Sequence, residues 1–72
     1  MRIIITGGCG FLGSNIAKKL LEEKHEILII DNLERFGSKK NLEWLTEEHK
    51  FKFLEKDIVE IESFKNEIVK FE

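Results

Sequence analysis

Two features of this 72-residue chain have residue types and spacing suited to chemistry: a glycine-rich segment near its start and an acidic residue well beyond it. The segment Thr6-Gly7-Gly8-Cys9-Gly10-Phe11-Leu12-Gly13 satisfies GxxGxxG through Gly7, Gly10 and Gly13, and GxGxxG through Gly8, Gly10 and Gly13. In such a pattern the first glycine permits a tight turn and the second lets backbone approach a diphosphate with no Cβ in the way. The third brings a helix close to a strand. Unpaired N–H groups at the helix start, expected at Phe11 and Leu12, then donate to phosphate oxygens with help from the helix dipole. A P-loop is excluded, because Ser14-Asn15 follows Gly13 and provides no lysine.

Asp31 lies close to the spacing of about 20 residues at which an acid meets the ribose of a dinucleotide. Its carboxylate is suited to accept hydrogen bonds from both ribose hydroxyls. The same charge repels a 2′-phosphate, so the pattern favours NAD over NADP, with Arg35 and Lys39 as nearby cations that weaken the preference. The plainer alternative is a tight turn with a solvated aspartate. Context favours the nucleotide reading: a strand before the loop, a helix after it, and a second strand ending in the acid.

The elements that must position these residues follow from hydrophobic periodicity. Arg2 to Thr6 reads as a buried strand, since three consecutive isoleucines leave neither face polar. From Phe11 to about Glu23, Leu12, Ile16, Leu20, Ala17 and Leu21 form one helical stripe, with Lys18, Lys19, Glu22 and Glu23 outside it. Lys24-His25 suits the negative end of that helix. Ile27 to Ile30 is a second buried strand closed by Asp31-Asn32, and Ser38 offers an N-cap to a short helix through Leu45. Phe51 to Leu54 is a third strand. Ile61, Phe64, Ile68 and Phe71 mark a last amphipathic helix.

The expected fold class is therefore α/β: a βαβαβα half of a Rossmann fold with parallel strand order 3-2-1. Right-handed crossovers put the first two helices on one face and the third on the other. With no fourth strand beside it, the isoleucine strand at residues 2–6 has an open edge prone to pairing.

Composition bounds the remaining possibilities. Hydrophobic residues make up 42% and charged residues 36%, and 12 basic against 14 acidic side chains leave a net charge of −2. That balance carries no electrostatic footprint for nucleic acid or an anionic membrane. No apolar run is long enough for a signal peptide or a membrane span, so a cytoplasmic location is expected. At this length only about 60% of the unfolded surface is buried on folding, so stability is marginal.

One cysteine excludes an internal disulfide or a cysteine zinc site. Cys9 reads as a small loop filler, although a helix N-terminus can lower a thiol pKa. His25 and His49 read as solvated and lack metal-ligand spacing. Trp44 and the six phenylalanines read as packing residues, and Glu47-Glu48 and Glu22-Glu23-Lys24 as solvated surface.

Thr6-Gly7-Gly8-Cys9-Gly10-Phe11-Leu12-Gly13-Ser14 resembles the fingerprint of the extended short-chain dehydrogenases, the NAD-dependent sugar-nucleotide epimerases and dehydratases. Within that family, Asp31-Asn32-Leu33-Glu34-Arg35-Phe36-Gly37 with Asn41-Leu42-Glu43-Trp44-Leu45 is similar to the CDP-paratose and CDP-tyvelose 2-epimerases. The resemblance implies that Gly7, Gly10, Phe11, Leu12 and Gly13 hold the pyrophosphate. It implies that Asp31 and Asn32 hold the adenosine ribose with Arg35 and Ser38 nearby, and that Asp57-Ile58 border the adenine. Lys56 stands where the family has glycine.

The family's catalysis uses a tyrosine whose pKa is lowered by a lysine four residues on, and this chain contains no tyrosine. The expectation is a partial NAD-binding domain over residues 1–72, from a truncated nucleotide-sugar epimerase or dehydratase that is not catalytic alone. Its expected partners are NAD and either a second copy, through the open strand edge, or a missing C-terminal half. A stand-alone NAD-binding regulatory module and a non-functional remnant are the alternatives.

Overall fold

The computed structural model describes residues 1–71; Glu72, the last residue of the expected domain, lies outside them. The chain runs β1 (Arg2–Thr6), α1 (Phe11–Glu22), β2 (Glu26–Asp31), α2 (Ser38–Glu48), β3 (Lys52–Glu55), a 3₁₀ turn (Ile58–Glu60) and α3 (Ile61–Phe71). Three parallel strands form one sheet in the order β1-β2-β3, with Ile4 opposite Leu28 and Ile30 opposite Leu54. This is a Rossmann-like α/β half-domain, as the periodicity predicts.

The central strand shows why its apolar run is unbroken. Side chains alternate across a strand, and both faces of β2 are covered. Ile27 and Ile29 pack with Cys9, Ala17, Leu21 and Leu45 beneath α1 and α2, whereas Leu28 and Ile30 pack with Phe64 and Phe71 of α3. All four are at most 2% exposed. The isoleucines of β1 are only half-buried, contrary to the expected buried strand, because among the described residues no strand lies on its outer side.

Three local expectations are corrected. α1 buries Ser14, Ala17 and Leu21, while Leu12 and Ile16 stay 70% and 46% exposed. The cause is the seating of Gly13 and Ser14 against the glycine loop, which turns the Leu12–Ile16 edge outward. Ser38 does not cap α2: Gly37 occupies the cap position at φ +85°, and Ser38 is the first helical residue, its hydroxyl buried without a partner among the described residues. That helix also runs past Leu45 to Glu48, since Thr46-Glu47-Glu48 contains no helix breaker.

Both histidines are half-buried rather than solvated. His25 Nε2 lies 3.6 Å from the Glu23 carboxylate, and His49 Nε2 is buried without a hydrogen-bond partner among the described residues. α3 packs on the face opposite α1 and α2 through Phe64 and Phe71, as expected; Ile61 remains 42% exposed. Phe64 departs from helical geometry (φ −135°, ψ 15°), a kink that accompanies its burial against β2. At the far end Arg2 Nη1 donates to the Phe71 carbonyl at 3.0 Å, tying the helix end to β1. Among the described residues no helix is long and apolar enough to cross a membrane.

Candidate functional site

The turn from β1 into α1 is built on two close approaches. Gly7 adopts φ +69° while its N–H continues the β-ladder to the Ile30 carbonyl at 2.8 Å. A Cβ on Gly13 would lie well inside contact distance of the Gly7 carbonyl oxygen, so this helix can seat on its loop only without a side chain there. In the sequence pattern Gly8 is an alternative first glycine. A Cβ there would fall 2.6 Å from Ile29 Cγ2, so Gly8 is what allows the loop to lie flat on the core.

The loop delivers α1 with its first turn bare. Gly10 is the N-cap in extended geometry (φ −72°, ψ 172°) and no side chain caps the helix. The Gly10 N–H donates to the Gly7 carbonyl at 3.0 Å, and Ser14 is the first residue of the helix to bond back, to Gly10 at 2.8 Å. The N–H groups of Phe11, Leu12 and Gly13 are left without a partner among the described residues. Such groups carry the positive end of the helix dipole.

Asp31 ends β2 opposite this helix start and is 8% exposed. One carboxylate oxygen accepts the Cys9 N–H at 2.9 Å and the other accepts the Leu33 N–H at 2.7 Å. The carboxylate is therefore already engaged by two backbone donors. Each oxygen still has a second lone pair for an incoming hydroxyl. The bond to Asp31 also holds Leu33 in its left-handed conformation (φ 59°), which starts the loop toward α2.

A cleft of about 480 Å³ opens beyond the carboxyl ends of the strands, the usual position of ligands in open α/β sheets. Gly7, Gly10, Phe11, Leu12, Gly13, Asp31, Asn32, Arg35, Asp57 and Ile58 all line it, with Lys56 among them. Ser38 does not; it is buried in the first turn of α2. Asn32 and Asp57 each use a side-chain oxygen locally, on the N–H groups of Glu34 at 3.1 Å and Val59 at 3.0 Å. The cleft thus combines unpaired N–H donors and two cations, Arg35 and Lys56, at its walls with a buried carboxylate at its back. That arrangement can take a phosphate-bearing group on one side and a hydroxylated ring on the other.

Cys9 is fully buried, and desolvation together with the adjacent Asp31 charge pushes its thiol up to about 12. A neutral, enclosed thiol is a packing element. Asn41 adds a contact to the loop: its side-chain amide donates to the Cys9 carbonyl at 2.7 Å from the first turn of α2. Nothing local signals this bond, since the two residues lie 32 positions apart.

Sheet order and glycine loop together define a Rossmann-like α/β half-domain. Residues 4–72 match the model of the family described as GDP-mannose 4,6 dehydratase, and the chain belongs to that family. It is 47% identical over 58 residues to CDP-paratose 2-epimerase of Salmonella typhi, covering 81% of this chain and 17% of that protein. It is 43% identical over 60 residues to UDP-glucuronic acid decarboxylase 1 of Danio rerio, covering 82% and 14%. A putative UDP-glucose 4-epimerase of Methanocaldococcus jannaschii is 39% identical over 64 residues, covering 89% and 21%. The chain therefore spans a small part of the length of the relatives it matches, and the family is one of sugar-nucleotide epimerases and dehydratases.

Proposed function

We propose that this chain is the NAD-binding portion of a nucleotide-sugar epimerase or dehydratase, and that residues 1–72 supply the half of the site that takes adenosine and pyrophosphate. The observation that carries this reading is the pairing across one cleft of the bare N-terminus of α1 with the buried Asp31 carboxylate. In it, the N–H groups of Phe11, Leu12 and Gly13 bind pyrophosphate oxygens, with Gly7 and Gly10 leaving room for them. Asp31, with Asn32 beside it, takes the adenosine ribose through its remaining lone pairs. Arg35 stands near that ribose, and Asp57 and Ile58 border the adenine. The carboxylate disfavours a 2′-phosphate, so NAD is bound in preference to NADP.

When bound, NAD supplies a nicotinamide that accepts and returns hydride. The 72 residues contain no tyrosine to act as the acid or base beside it, so the chain by itself is proposed to bind but not to turn over a nucleotide sugar. We place it in the cytoplasm. The outer edge of β1 is proposed to pair with a further strand, from a second copy or from additional polypeptide. Sedimentation velocity over a range of concentrations tests self-association through that edge.

The direct test of the site is an ¹⁵N–¹H correlation spectrum titrated with NAD and with NADP. NAD is expected to shift the amides of Gly7 to Gly13 and Asp31, NADP to shift them less, and Gly10→Val to abolish the response. A wild-type spectrum unmoved by NAD, or an affinity indifferent to Gly10→Val, overturns the reading.

A further inference from the structure

Two consecutive peptide units of the glycine loop are pinned by side chains from outside it. In the unit joining Gly8 to Cys9, the Cys9 N–H is held by the Asp31 carboxylate at 2.9 Å, from the end of β2. In the next, joining Cys9 to Gly10, the Cys9 carbonyl accepts the Asn41 side-chain amide at 2.7 Å, from α2. The same unit presents its N–H to the Gly7 carbonyl at 3.0 Å. With both ends of that peptide engaged its plane cannot rotate, and the plane sets the extended geometry of Gly10. Gly10 in turn aims the bare first turn of α1.

We infer that Asn41 is a positioning residue for the pyrophosphate half of the site. It does not line the cleft; it acts by orienting the Cys9–Gly10 peptide, and through it the N–H groups of Phe11, Leu12 and Gly13. This rests on the nucleotide reading above. The chemistry favours asparagine there. A carbonyl needs a donor, the amide supplies one without charge, and a carboxylate at the same place would repel the carbonyl oxygen. A residue that merely stabilised the fold would weaken every part of the site alike, whereas a residue that aims the loop affects phosphate binding selectively.

The test compares adenosine with ADP by amide-shift titration of the purified chain in wild type, Asn41→Ala and Asn41→Asp. Both variants are expected to bind ADP about tenfold more weakly, the scale of one well-placed hydrogen bond, and adenosine within about twofold of wild type. Their amide shifts without ligand should move at Cys9 to Gly13 and stay in place around Asp57. Asn41→Asp, which keeps size but not the donor, guards against a void as the cause. Unchanged ADP affinity in both variants overturns the proposal, as does an equal loss of ADP and adenosine or the unfolding of both. A wild type that binds neither ligand would instead remove the nucleotide reading itself, and this inference with it.

Discussion

The Asp31 carboxylate accepts the backbone N–H of Cys9 at 2.9 Å, across 22 positions of sequence, and so closes the glycine loop onto the end of β2. The residue that faces the cleft is thus also the one that holds the cleft's wall in place. Asp31→Ala would leave the buried Cys9 N–H unsatisfied, at a cost of about 1–3 kcal/mol. Asp31→Asn keeps one acceptor oxygen for two donors and should fall between. Urea denaturation checks this order, and an Asp31→Ala variant as stable as wild type would sink it.

The Cys9 thiol adds a pH dependence at the alkaline end. Its pKa in the fold is about 12 against an ordinary 9.0, so between those values the unfolded chain has lost the proton and the folded chain has kept it. Stability from this group is complete below pH 9.0 and is lost as pH rises through about 12. Near pH 8 the folded thiolate fraction is roughly a thousandfold below that of the unfolded chain. Alkylation followed by mass spectrometry should show Cys9 protected in buffer and modified in denaturant; equal rates would contradict its burial.

The glycines of the loop should differ sharply in tolerance. Gly13→Ala forces a Cβ into the Gly7 carbonyl and neighbouring backbone, and should cost at least about 1–3 kcal/mol. Gly10→Ala meets only the Gly7 carbonyl oxygen, at 3.3 Å, and should affect folding less than ligand binding. Thermal melts of the two variants in parallel decide the matter, with a higher or equal midpoint for Gly13→Ala as the adverse result.

Two phenylalanines bracket the effect of burial. Phe64 is 1% exposed beneath β2, and Phe64→Ala should remove about 3–5 kcal/mol. In a domain this small that is a large share of the total, at about 0.05–0.15 kcal/mol per residue. Phe36 stands fully free at the tip of the loop before α2, and Phe36→Ala should change stability by less than about 0.5 kcal/mol. Chemical denaturation of both variants gives the comparison; similar losses would mean that α3 is not docked as described.

Much of the architecture was legible because its causes are local or periodic. The unbroken apolar run Ile27–Ile30 requires a strand covered on both sides, and Phe64 and Phe71 announce the helix that covers one of them. The glycine spacing is likewise readable, since a left-handed turn at Gly7 and the close seating of Gly13 admit no other residue type comfortably. Helix faces were less legible. Leu12 and Ile16 fit an apolar stripe as well as Ala17 and Leu21 do, and only the docking of α1 on its loop decides which edge is buried. Ser38 met the same fate. It is a good capping residue by type, but Gly37 takes the cap and Ser38 is pulled inside.

The order of elements, the parallel sheet, the glycine loop and the acid at the end of β2 were thus determined by sequence alone, because hydrophobic period and backbone sterics act over a few residues. Tertiary structure decided what no local rule contains. One oxygen of Asp31 already carries the Cys9 N–H, Ser38 is withdrawn from the cleft, and Asn41 reaches the Cys9 carbonyl from another helix. These are contacts between segments brought together only by packing on the sheet, and a hydrogen bond between distant residues exists only once the core has set the distance.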